Sequence, residues 1–233
     1  MVDTCPVKID HTKANCHSRN PEMVGKHGKY LMTKDDLHAF LRSRRSIRRF
    51  KQDPVPHDCI QRILETAIFA PSAHNLQPWR FVIITSSAAK ERLAEAITAR
   101  FRQDMIVDGV PEADIQARVQ RTVRRTGQAP VIIILCRDTT QVKPQTGALL
   151  QQEEALMGTQ SVALAGLQLL LAAHAEGLGG TWICWPLFAH DETRHALGLA
   201  KEWDPQGMLF LGYPDETPEL PERDSLQEVV RYL

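Results

Sequence analysis

The sequence predicts a single sheet flanked by helices, of α/β or α+β class. Two observations predict it. Short apolar runs of strand length, WRFVIIT at 79–85 and VIIILC at 131–136, alternate with longer stretches whose apolar residues recur at helical spacing. With 233 residues, 43% hydrophobic and 24% charged, the chain suffices for one or two domains and a sizeable core without covalent staples. No internal repeat is visible.

The elements follow in order. Thr33–Asp36 caps a first helix with Leu37, Phe40 and Leu41 on one face. After Pro54 and Pro56 a second helix runs to about Phe69, with Ile60, Ile63, Leu64 and Ala67 at helical spacing. A loop at Ala70–Pro78 precedes the strand Trp79–Thr85. Ser86 or Ser87 caps a helix reaching about Arg102, and Pro111 opens a charged helix that ends near Gly127. Val131–Cys136 is a buried strand. Leu149–Ala175 is a long helix apolar on nearly all sides, closed by Gly177, Gly179 and Gly180. Thr181–Trp185 is a short strand, Asp191 caps a helix closing near Leu199, and Met208–Tyr213 is a last strand. A tail with Pro214, Pro218 and Pro221 leads to Leu226–Leu233.

Composition excludes several classes. Lys plus Arg and Asp plus Glu are 28 each, so no bulk positive charge is available to neutralise nucleic-acid phosphates. The best apolar run, Val162–Ala175, is interrupted by Gln168 and His174, short of the roughly 20 residues that span a bilayer. The first 30 residues are polar and hold no apolar stretch of about 7–15 residues, so no signal peptide is expected. Cys5, Cys16, Cys59, Cys136 and Cys184 form an odd, scattered set that fits a reducing cytoplasm better than a disulfide framework. Residues 1–30 read as a polar extension before a domain at 31–233. Cys5, His11, Cys16 and His17 could ligate zinc, but no Cys-x-x-Cys pair supports it, and no metal is expected.

Two stretches carry candidate chemistry. Arg44, Arg45, Arg48 and Arg49 surround Ser46. Such a cluster binds phosphate through charge-assisted hydrogen bonds, or it is a solvated helix end whose cations suit the macrodipole. The loop Pro71-Ser72-Ala73-His74-Asn75-Leu76-Gln77-Pro78-Trp79 offers small residues for close backbone approach. The amides of Asn75 and Gln77 can match the N–H and carbonyl groups of a flavin pyrimidine edge. The same loop also fits a plain helix-to-strand connection. No spacing argues for a Ser-His-Asp or Cys-His nucleophile.

Taken together, R-R-S-I-R-x-F at 44–50 followed by P-S-A-x-N-x-Q-P-W at 71–79 resembles the FMN-dependent nitroreductase family, and the later G-L-G-G-T-W-I and G-Y-P stretches agree. The resemblance covers about Thr33 to Leu233. His174–Gly180 and Trp203–Pro214 (HAEGLGG and WDPQGMLFLGYP) are most similar to the flavin domain of enzymes that complete coenzyme F420. There it is fused to a glutamyl ligase domain that this sequence does not contain.

The resemblance implies an α+β fold with a central, mostly antiparallel sheet flanked by helices, in an intertwined homodimer that buries two FMN sites. Arg44, Arg45 and Ser46 would hold the phosphate and ribityl end, and Arg48 would stand at the pyrimidine edge. Pro71, Ser72, Ala73 and Asn75 would come from the other subunit, with Gln77 as a further amide of that loop. The backbone at Cys184 and Trp185 would pass near flavin N5. Arg223, in the tail motif E-R-x-x-L, would return to the phosphate, whereas a second tail cation of relatives falls near Pro221 here. The implied activity is hydride transfer from NAD(P)H through flavin N5 to a small planar acceptor, such as a nitroaromatic or quinone, by a ping-pong mechanism. Alternatives are reduction of a deazaflavin (F420) precursor or related enone, and a non-catalytic flavin-binding protein. Arg118, Arg121, Arg124 and Arg125, within a possible lid at 101–127, form a basic face that could attract an acidic substrate, bind an NAD(P)H phosphate or simply be solvated. Trp182 reads as core; Trp185 reads as either core or substrate wall.

Overall fold

The computed structural model describes residues 32–233; the extension with Cys5, His11, Cys16 and His17 lies outside the described residues. Residues up to Phe40 form one compact unit and Leu41–Leu233 another. In the first, Thr33 closes a capping box at the start of α1 (Lys34–Ser43). Its hydroxyl accepts the Asp36 N–H at 3.1 Å, and the Asp36 carboxylate accepts the Thr33 N–H at 2.9 Å.

The second unit is built on four strands, β1 (Trp79–Ile84), β2 (Val131–Asp138), β3 (Gly179–Ile183) and β4 (Trp203–Gly212), ordered β1-β2-β4-β3. Every pairing between them is antiparallel. The apolar run of β2 is continuous because both its faces are covered. Val131, Ile133 and Leu135 pack on one side with α2 (His57–Ala67) and α5 (Ala148–Ala175). Ile132, Ile134 and Cys136 pack on the other with Leu93 and Ile97 of α3 (Ser87–Val107). Ile132, Ile133, Ile134 and Leu135 are fully buried, and truncating any one to Ala would cost about 2–5 kcal/mol. α4 (Glu112–Gln128) packs on α3, and a second core-side helix, α7 (His190–Leu197), packs on α3 and β4. The short α6 (Trp185–Phe188) precedes α7, and α8 (Leu226–Val229) closes the tail with a Ser225–Glu228 capping box.

Several boundaries differ from the sequence reading. β3 starts at Gly179, not Thr181, and ends at Ile183, because Cys184 and Trp185 serve as the N-cap and first residue of α6, with Pro186 in its first turn. Gly177 alone of the three glycines ends α5. It takes φ 76°, and the Leu178 N–H returns to the Ala173 carbonyl at 2.9 Å, whereas Gly179 and Gly180 already belong to β3. β4 begins at Trp203 rather than Met208, since Asp204 and Pro205 already pair with β2 across a register shift at Leu135/Cys136. α3 continues past Arg102 to Val107. Asp191 lies in the first turn of α7 and pairs with Arg194 instead of capping the helix. Pro111 stands just outside α4, as its N-cap.

By length and composition α5 is apolar enough to cross a bilayer. One face, with Val162, Ala165, Leu169 and Ala173, is fully buried against the sheet. The opposite face leaves Leu156, Leu164 and Leu167 exposed, an apolar stripe that no described residue covers.

Candidate functional site

Residues 44–50 lie along the outer edge of β3. The apolar residues of R-R-S-I-R-R-F anchor the segment: Ile47 and Phe50 are buried in the core, while Arg48 and Arg49 are exposed and Arg44, Arg45 and Ser46 half-buried. Ser46 forms a parallel bridge with Gly180, and the Ile47 N–H donates to the Gly180 carbonyl at 3.1 Å. Farther on, Phe50 bridges Pro214 and the Lys51 N–H donates to the Tyr213 carbonyl at 2.9 Å. The approach is close enough to require glycine in β3: a Cβ on Gly179 would stand 2.6 Å from the Ile47 side chain.

The four arginines have different partners. Arg49 is neutralised by Glu216, whose carboxylate takes the Arg49 Nε–H at 3.1 Å and the backbone N–H groups of Arg48 and Arg49. Burial pushes the Glu216 pKa upward, but those two N–H bonds and the Arg49 guanidinium outweigh it and hold it below its ordinary value. Arg45 turns back to the carbonyls of Arg42 and Arg44 at 2.7 and 2.8 Å, capping the end of α1 as a macrodipole cation does. Arg48 reaches only the Ser46 carbonyl, at 3.3 Å. Among the described residues no carboxylate forms an ion pair with Arg44, Arg45 or Arg48.

This uncompensated charge borders a cleft of about 220 Å³ lined by Arg44, Arg45, His174, Gly179, Gly180 and Glu216, among others. The His174 ring stands 2.7 Å from the Ser43 hydroxyl. Burial lowers the His174 pKa first, and the positive fields of Arg44 and Arg45 lower it further. The sequence reading did not single out His174 or Glu216. Glu216 lies 167 residues from Arg49, beyond any local motif.

The second predicted stretch folds as a tight loop. Ala73–Asn75 is a single 3₁₀ turn, and His74, Asn75 and Gln77 take φ of 52°, 55° and 50°. Each such non-glycine residue costs about 1–2 kcal/mol and persists only where its surroundings over-determine it. Those surroundings are visible. The Gln77 N–H donates to the Ser72 hydroxyl at 3.1 Å, the Ala73 N–H to Ser161 Oγ of α5 at 3.2 Å, and Arg80 Nη1 to the Gln77 carbonyl at 3.2 Å. Pro71 and the side chains of His74, Asn75 and Gln77 are exposed. The loop is held at Ser161 and the arginine cleft at His174, so about 20 Å of α5 separates them at about 1.5 Å per residue.

The remaining predicted residues fall elsewhere. Cys184 is exposed at the start of α6. Trp185 packs edge-on against Phe101 at 6.4 Å and Phe210 at 5.9 Å, and it also lines a cavity against α3 and α4, so it serves both as core and as wall. Trp182 packs over Gly166 of α5 and Gly207 of β4, as core. Arg223 is exposed, reaches only the Glu222 carbonyl at 3.0 Å and does not line the arginine cleft. No group of three or more metal-ligating side chains occurs among the described residues.

Comparison with known proteins agrees with this arrangement. The nitroreductase family model matches residues 41–213, from the arginine segment through β4. A Bacillus subtilis (strain 168) protein named as an NAD(P)H nitroreductase, YfhC, is 30% identical over 194 residues, covering 82% of this chain and 91% of that one. A Thermus thermophilus protein named NADH dehydrogenase is 32% identical over 214 residues, covering 80% of this chain and 91% of its own length. The crystal structure of a BluB-like flavoprotein from Clostridium difficile 630 superposes with a TM-score of 0.70 at 26% identity, covering 84% of this chain and 98% of that one. On the family match over most of its length, joined to the fold and the arginine-lined edge of β3, the chain belongs to the nitroreductase family.

Proposed function

We propose that the chain is an FMN-dependent oxidoreductase, working as a cytoplasmic homodimer, that takes hydride from NAD(P)H and passes it to a small, planar, electron-poor acceptor such as a nitroaromatic or quinone. One observation carries the reading. Arg44, Arg45 and Arg48 gather along β3, the first two lining a cleft there, and among the described residues no carboxylate forms an ion pair with the three. A flavin phosphate brings about two negative charges and three acceptor oxygens, which Arg44 and Arg45 match in charge and in donors. The Ser46 hydroxyl stands next to them for the ribityl chain. Arg48, held by the Glu216 clamp on its backbone, is the cation for the pyrimidine edge. When bound, FMN supplies the hydride chemistry between donor and acceptor. Arg48 then favours the negative charge that reduction places at that edge, which raises the reduction potential.

Geometry supports the homodimer reading. The 71–78 loop is too far along α5 to close over the arginine cleft of its own chain, and α5 exposes Leu156, Leu164 and Leu167. A second copy laid on that stripe would bury it and bring Pro71, Ser72, Ala73, Asn75 and Gln77 to the partner's cleft. Cys184 and Trp185 contribute backbone near the reacting edge, and Arg223 joins the phosphate once the tail is docked.

With NADPH and menadione varied together, steady-state rates should give parallel double-reciprocal lines, the pattern of donor and acceptor using one face in turn. Intersecting lines would reject that shared face. A narrower reading, reduction of a deazaflavin precursor, rests on HAEGLGG, which ends α5 and opens β3, and on WDPQGMLFLGYP, which is β4 and the two residues after it. Incubating the reduced protein with dehydro-F420-0 tests it, and absence of conversion removes it. A purely flavin-binding role is the outcome if bound flavin stays oxidised under both NADH and NADPH.

A further inference from the structure

A cavity of about 450 Å³ opens between α3, α4 and α6, and none of its lining residues belongs to the arginine cleft beside β3. Its walls divide by chemistry. Phe101, Met105, Trp185 and the exposed Phe188 make one side apolar, with the Phe101 and Trp185 rings perpendicular at 6.4 Å. The other side is α4, which presents Arg118, Arg121 and Arg125 at spacings of i, i+3 and i+7, a single helix face. Arg124 lies off that face and outside the lining.

The acids that could neutralise this face are engaged or missing. Asp104, the one carboxylate in the lining, is held by Arg100 Nε at 2.9 and 3.0 Å. Glu112, at the start of α4, is held by Arg102 at 2.8 Å. α4 carries no carboxylate after Asp114. Among the described residues no ion pair forms at Arg118, Arg121 or Arg125. The cavity therefore joins an aromatic wall to guanidiniums lacking a counter-charge, in a volume typical of small-molecule sites.

We propose that this cavity binds a small planar aromatic carboxylate, its ring against Phe101, Trp185 and Phe188 and its anionic group among Arg118, Arg121 and Arg125. Guanidinium forks pair with carboxylates through two parallel hydrogen bonds, which gives the site selectivity for charge as well as for shape. An inorganic anion would leave the aromatic wall unused, and a neutral ring would leave the arginines unanswered. The site rests on this cavity and not on the flavin reading.

The test is calorimetric titration of the full-length protein with 2-naphthoate and with its neutral analogue 2-naphthamide, neither of which needs to be reduced. Naphthoate should bind at least about tenfold more tightly than the amide, the scale of one charge-assisted hydrogen bond. Arg118→Gln and Arg121→Gln should each weaken naphthoate about tenfold and leave naphthamide unmoved, while Arg124→Gln should change neither. These are exposed side chains, so the variants should fold as the parent does, and circular dichroism checks that. Equal binding of acid and amide, or no saturable binding of either, would overturn the proposal. So would displacement of naphthoate by NADPH but not NADH, which would assign the arginines to a dinucleotide phosphate. Since no flavin reduction is read, any of these results leaves the oxidoreductase reading standing on its own tests.

Discussion

At the residue scale, one composition cluster resolves into distinct roles. Four arginines within six positions read as an anion site or a solvated helix end, and in the structure they take different partners. Arg45 answers helix carbonyls, Arg49 answers Glu216, and among the described residues no acid forms an ion pair with Arg44 or Arg48. Sequence spacing could not separate them, because the deciding partner lies in the tail beyond β4. Arg44 is the clearest test of the phosphate role. Arg44→Ala should weaken FMN binding about tenfold or more, from loss of a charged hydrogen bond worth about 1.5–3 kcal/mol, with little change in thermal stability of the flavin-free protein. Fluorescence titration with FMN measures it, and unchanged affinity would contradict the assignment.

At the element scale, the strands and long helices were legible because their apolar runs and periods are strong. The errors cluster where chemistry gathers. Gly179 and Gly180 read as a helix stop, yet they open β3 so that Ile47 can lie against it. Cys184 and Trp185 read as strand, yet Pro186 turns the chain into α6 there. Gly179→Ala should therefore push Ile47 and the arginine segment off the sheet edge. Overpacking of this kind costs about 1–3 kcal/mol, seen as a lower denaturant midpoint, and flavin affinity should fall with it. Glu216 fixes the same segment from the other side. Its folded pKa is below the ordinary value, so its contribution is present above about pH 4.3 and is lost as pH falls through the folded value. Glu216→Gln should flatten that part of the stability–pH profile. A profile identical to that of the parent would show that the clamp adds nothing.

At the scale of the whole molecule, the class and the antiparallel sheet were legible, and the family resemblance read from the two motifs agrees with the match over 41–213. The geometry of the site was not, since no local pattern shows that α5 meets the loop at Ser161 and lines the arginine cleft at His174. That separation and the exposed stripe on α5 support the proposal that two chains complete the flavin site. Sedimentation should show a dimer, and Leu164→Glu with Leu167→Glu on the stripe should yield monomers that retain the fold but lose flavin. The most direct measurement of the central claim is the anaerobic visible spectrum of the purified protein before and after NADPH. The account predicts a bound flavin band that NADPH bleaches and menadione restores. A colourless protein that takes up no added FMN would contradict it.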